Sequence, residues 1–213
     1  MAPELAGGAA VELDGLRESC VAAVRGLGGA DVLFVVGGGT VTTGYPGEAA
    51  GTLAPWGVDV RVGTGRPVLP LSLTVGRWLM DRAGVDGPHG YQAVAMDAAP
   101  EECLAVGAEL AARAPRVALL VMADGSAALT VKAPGYLHPD AGRYDRALAR
   151  ALAAADTKAL ETMDPAEADD LWVAGRAALQ VLAGAGRNGA FRAEALYDEA
   201  PYGVGYHVVS WRR

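Results

Sequence analysis

The chain has 213 residues, 52% of them apolar and 20% charged, with a formal net charge of −7. This length and composition fit a single globular domain spanning residues 1–213 and exclude a disordered chain. The acidic balance excludes a nucleic-acid surface, which needs a basic patch, and no run of about 20 apolar residues offers a membrane span.

Met1 is not followed by the basic start and apolar run of a signal peptide, so the cytoplasm is the expected compartment. The two cysteines, Cys20 and Cys103, belong to no C-x-x-C pair and are expected to be buried free thiols.

In chain order, Val11 to Leu27 carries apolar residues at helical spacing and stops at Gly28-Gly29. Asp31 to Val36 is a short β-branched run, the pattern of a buried strand, and it ends at Gly37-Gly38-Gly39. Thr40 to Pro55 is rich in Gly, Thr and Pro and reads as a loop excursion. Val58 to Val62 is expected as a strand, Leu71 to Ala83 as a helix, Ala93 to Met96 as a strand and Pro100 to Ala112 as a helix.

Arg116 to Met122 is the clearest buried strand, and it runs into Asp124-Gly125-Ser126. Helices are expected over Tyr144 to Ala154 and Pro165 to Ala183, then a turn-rich break at Gly184 to Asn188 and a final strand over Gly205 to Trp211. Alternating strands and helices indicate a three-layer α/β/α sandwich around a mostly parallel or mixed sheet. The first strand common at the start of such folds is missing: Met1 is followed almost at once by Pro3, a loop and a helix.

Ligands of such sheets sit at the carboxyl ends of the strands, which directs attention to Gly37, Gly38, Gly39, Asp124 and Ser126. The glycine run lacks the Gly-Lys-Ser/Thr of a phosphate loop, and Ser126 lacks the G-x-S-x-G elbow of a hydrolase. His89, His138 and His207 are the only histidines, and none has metal-ligand spacing. Glu199, just before Ala200-Pro201-Tyr202-Gly203-Val204-Gly205-Tyr206, is a carboxylate at the mouth of the last strand. Tyr136, Tyr202 and Trp56 are candidate aromatic linings of the pocket.

The stretch Tyr197 to Tyr206 resembles the closing motif of the LigB-type (class III) extradiol ring-cleavage dioxygenases and the related Memo-like proteins. There a Glu is followed by two residues, an aromatic and Gly-Val-Gly-Tyr. Met122-Ala123-Asp124-Gly125-Ser126-Ala127 resembles the family's Ser-Gly-Asp-Leu-Ser-His loop, and Tyr136, His138-Pro139 and Tyr144-Asp145 resemble the stretch after it. The resemblance covers nearly the whole chain.

It implies opening of catechol-type rings with oxygen at one Fe(II), held by two His and one Glu, with a further His as acid/base. Carried over by position, only Glu199 remains as a metal ligand. Gly37, Gly38, Gly39 and Thr40 stand where the second His is found, and Ala127 stands where the acid/base His is found. The first His belongs to a His-Pro motif that precedes Met1 in register, and an earlier start would restore it together with the missing strand.

Two readings follow. One is an iron-dependent dioxygenase using replacement ligands such as His138 or His207. The other is a degenerate member, metal-free, that binds a small aromatic molecule or serves as a partner subunit. A homo-oligomer is also compatible with the family.

Overall fold

The computed structural model describes residues 11–213. The opening Met1–Pro3 stretch therefore lies outside the described residues. Among these residues the main sheet has four strands in the order β2-β5-β1-β6. They are β1 (Val32–Gly39), β2 (Thr43–Pro46), β5 (Gly90–Ala95) and β6 (Val117–Met122). β1 is parallel to both β5 and β6, whereas β2 runs antiparallel along the outer edge of β5, so the sheet is mixed. Helices cover both faces, which makes the expected α/β sandwich.

Two small antiparallel pairs stand apart from this sheet. One joins β3 (Gly51–Thr52) to β4 (Arg61–Val62), and the other joins β7 (Arg192–Glu199) to β8 (Tyr206–Arg212). The first corrects the strand expected over Val58 to Val62, of which only two residues pair. The strands at Thr43–Pro46 and Arg192–Glu199 lie where the sequence offers loop-like or charged residues.

The helices are α1 (Asp14–Arg25), α2 (Leu71–Ala83), α3 (Pro100–Ala111), α4 (Ala141–Ala153), α5 (Thr157–Glu161), α6 (Pro165–Asp170) and α7 (Arg176–Gly186). A short 3-10 turn, Val11–Leu13, leads into α1. The helix expected over Pro165 to Ala183 is two helices. Trp172 takes a left-handed backbone at φ 54° between them, and Gly175 then meets the main chain of Asp124. A Cβ at Gly175 would stand 2.5 Å from the Asp124 nitrogen and oxygen, so only glycine lets α7 start so close to the sheet.

α1 and α2 pack on one face with Leu16, Val24, Leu73, Leu79 and Met80, against Val35 and Tyr91 of the sheet. α3 and α7 pack on the other face around Val36, Val94, Cys103 and Val181. Both cysteines are buried and unpaired, and burial pushes the Cys20 thiol up to about 11. No helix among the described residues is long and apolar enough to cross a membrane.

One expectation is corrected here. Arg116 to Met122 reads as the clearest buried strand in the chain, yet every residue of β6 is only half-buried. Its faces are covered, but β6 has a strand on one side only. Burial of a sheet residue depends on the neighbouring strand as well as on the layers above and below.

Candidate functional site

The parallel strands β1, β5 and β6 end on the same side of the sheet, and the chain there builds two different environments. Beyond β1 and β5 lies a cleft of about 460 Å³. It is lined by Gly38, Gly39 and Thr40 after β1, Tyr45 of β2, the segment Val68–Ser72 leading into α2, and Met96 after β5. No lining residue is charged. The Ser72 hydroxyl donates to the Gly38 carbonyl at 2.6 Å, which ties the first turn of α2 to the end of β1. Val41, Val68, Leu71 and Met96 form an apolar rim open to solvent. The volume lies in the range of small-molecule pockets.

Beyond β6 the character changes. Asp124 follows two residues after the strand, and its side chain makes no hydrogen bond among the described residues. Burial of the carboxyl among neighbouring groups pushes it above the usual carboxylate range, although the residue as a whole is exposed. Both are true of a group set in a recess. Tyr206 is close by, and its phenol is pushed up first by burial and then by the Asp124 charge.

Below this loop, Asp145 of α4 and Asp198 of β7 hold His207 of β8 between them. His207 Nε2 lies 3.3 Å from Asp145 Oδ1 and Nδ1 lies 2.8 Å from Asp198 Oδ1. The imidazole side chain is 5% exposed. Burial disfavours its charge, but the two facing carboxylates outweigh that and raise its pKa above the ordinary histidine value. An imidazolium can donate to both carboxylates, whereas a neutral ring can donate to one only. Asp145 Oδ1 also accepts from the Ser126 backbone nitrogen at 3.1 Å. A Cβ on Gly205 would stand 2.3 Å from that same oxygen, so the approach of β8 to α4 requires glycine there.

The candidate residues are therefore divided between the two environments. Gly38 and Gly39 line the cleft, while Gly37 packs against Ser72. Asp124 sits at the end of β6. Ser126 is fully buried: its hydroxyl donates to the Leu171 carbonyl at 2.7 Å and accepts from the Ala128 nitrogen. Glu199 is exposed at the end of β7, where the Tyr197 hydroxyl donates to its carboxylate at 3.1 Å. Trp56 is exposed in a short turn (Ala54–Trp56) and lies outside the cleft lining. Tyr136 and Tyr202 are exposed on the loops after β6 and before β8, each with a left-handed backbone at φ 61°.

The donor set at this end of the sheet does not fit Fe(II). Among the described residues Glu199 is bonded to the Tyr197 hydroxyl and to no imidazole. His89 is at the opposite end, just before β5, where its Nδ1 accepts from the Leu33 nitrogen. His138 accepts from the Asp140 nitrogen and faces Asp170 at 3.3 Å. His207 has both nitrogens engaged. Among the described residues no group of three His, Cys, Asp or Glu side chains is placed to hold a metal ion.

The Asp145–His207–Asp198 group was missed by sequence reasoning. Its members are 62 and 9 positions apart from His207 and form no motif. The one available signal was Tyr144-Asp145 within the family-like stretch. No protein-family model matches the chain, and no characterised protein matches it.

Proposed function

We propose that this chain is a LigB-like scaffold that binds a small, uncharged aromatic molecule without iron, as a binding protein or partner subunit. The observation that carries this reading is the uncharged cleft of about 460 Å³ at the carboxyl ends of β1 and β5. Its Met, Val, Leu and Pro lining suits an apolar ring. The Thr40 and Tyr45 hydroxyls supply hydrogen-bond partners, and a charged ligand would have to lose its hydration there without a counter-charge. The positions where the resemblance asks for imidazoles carry Gly37, Gly38, Gly39 and Thr40 for one and Ala127 for the other, none of which supplies a neutral nitrogen ligand. The proposed compartment is the cytoplasm, which suits two free buried thiols.

The test is a calorimetric titration of the full chain with catechol and with phenol, under nitrogen, with chelator and then with added Fe(II). Binding that is indifferent to iron, and weakened about tenfold or more by Val68→Trp at the rim, is the expected result. In a parallel oxygenated sample, oxygen uptake with ring opening on addition of Fe(II) would replace this reading with the dioxygenase. No binding under any condition would remove the small-molecule role.

A further inference from the structure

Three exposed aromatic residues stand where the backbone is least tolerant of them. Among the described residues four non-glycine positions have a left-handed backbone, and three of these are Tyr136 at φ 61°, Trp172 at φ 54° and Tyr202 at φ 61°. None belongs to the core: they are 64%, 55% and 51% exposed. A large side chain is disfavoured at such a φ, where Gly or Asn is the ordinary choice, and an exposed ring recovers little of that cost by packing. Fold stability therefore does not account for these residues.

All three are tied to one loop, residues 127–136 after β6. The Trp172 ring lies over Gly135, where a Cβ would stand 2.8 Å from its Cγ, and the Trp172 carbonyl accepts from the Ala127 nitrogen at 3.2 Å. Tyr136 is the next residue after Gly135. Gly203, beside Tyr202, packs on Thr130 and Ala133, and its carbonyl accepts from the Leu129 nitrogen at 3.1 Å. Val131 and Leu137, on and next to the same loop, are exposed as well. None of these residues lines the cleft beyond β1. The border of this patch is acidic. The stretch 162–175, which carries Trp172, contains Asp164, Glu167, Asp169 and Asp170 and no Lys or Arg. Arg143 engages Glu167 and His138 faces Asp170, but the exposed Asp169 carboxylate has no partner among the described residues. The Tyr202 hydroxyl donates to Glu12, and Glu199 stands three positions before Tyr202. Lys132 is the only Lys or Arg in residues 123–140.

We propose that the patch of Tyr136, Trp172 and Tyr202 is an interaction surface for an arginine-bearing segment of a partner protein. The charge selects a cation: aromatic faces carry negative potential, and the bordering carboxylates add to it. The combination of rings and carboxylates selects arginine over lysine. A planar guanidinium stacks on an aromatic face and still offers N–H groups in its plane to a carboxylate such as Asp169, whereas an ammonium is a compact, strongly hydrated point charge. Exposed Trp and Tyr side chains on anchored loops are the residue types that dominate binding energy at protein interfaces. The patch spreads over three segments of the chain, so it suits a segment with more than one arginine. Lys132 is the one group on the loop that opposes such a partner.

The test is calorimetric titration of the full chain with the peptide Gly-Arg-Gly-Arg-Gly-Arg-Gly and with its lysine counterpart of equal charge, at about 0.02 M and about 0.2 M salt. The arginine peptide should bind about tenfold more tightly than the lysine peptide at both. Trp172→Gly removes the ring and gives the left-handed position the residue that favours it, so Tm should hold or rise while binding weakens about tenfold. Should Trp172→Gly lower Tm, Tyr136→Gly repeats the test at the second left-handed position. Asp169→Asn should weaken binding about threefold, and Lys132→Glu should strengthen it by about the same factor. Equal binding of the two peptides would reduce the patch to general electrostatic attraction and overturn the proposal. Binding unchanged by loss of either ring, or no binding of the arginine peptide, would also overturn it. Self-association of the chain that Trp172→Gly abolishes would assign the patch to a second copy instead.

Discussion

The cleft beyond β1 and the clamp beyond β6 sit at the same end of one sheet and are built on opposite principles. The cleft has no charged lining residue and uses Val, Leu, Pro and Met to enclose space. The clamp is filled: His207 is held between Asp145 and Asp198, with Ser126 and Gly205 closing on the same carboxylate. The difference teaches where this fold can tolerate change. A residue that borders empty space can be enlarged with effect on a ligand alone, whereas a residue packed on a charged group cannot move without disturbing that group.

Substitution at the clamp should have the largest effect. Gly205→Ala places a methyl group against the Asp145 carboxylate, and a loss of about 3 kcal/mol in denaturant unfolding is expected. A loss under about 0.5 kcal/mol would mean that β8 is free to shift away from α4, and the comparison with the cleft would fail.

His207→Gln comes next. It removes the charge that holds two carboxylates, and a loss of about 2 kcal/mol at pH 6 is expected. The pH dependence sharpens this. The folded pKa of His207 is raised above its unfolded value of 6.5. The stability it contributes is therefore fully present below about 6.5 and is lost as pH rises through the folded value. Unfolding measured from pH 5.5 to 9 should show this decline in the unaltered chain and a flatter profile in His207→Gln. The same slope in both would show that the clamp is not linked to folding.

Asp124→Asn tests the recess between the two regions. Burial raises the Asp124 pKa, so its charged form costs stability at neutral pH. The amide should leave Tm unchanged or raise it by about 1–2 °C at pH 7, an advantage that disappears as pH falls toward 4. A clear loss of Tm at pH 7 would reveal a stabilising partner for the carboxylate. The smallest stability effect is expected at the cleft rim, where Val68→Trp should change unfolding by less than about 0.5 kcal/mol. Its effect belongs to ligand binding alone, and calorimetry with phenol reads it.

Much of the fold was legible from local pattern. Leu71–Ala83 and Pro100–Ala111 have helical spacing, and Pro100 sits in the first turn where its missing N–H costs nothing. The buried run of β1 and its glycine ending mark the carboxyl end of the sheet, and two of those glycines do line the cleft. β2 and β7 escaped notice because their strand character comes from pairing with β5 and β8 and not from their own residues, which include Pro46, Arg192 and Asp198.

The amino-acid sequence by itself determined the α/β class, the main helices and the apolar character of β6, since these follow from periodicity and hydrophobicity along a short stretch of chain. Tertiary structure alone decided that Ser126 is sealed in the interior, that Glu199 stands in solvent and that His207 lies between two carboxylates. It also decided that β6 keeps one edge open. Each of these depends on which distant segments meet, and no local pattern carries that information.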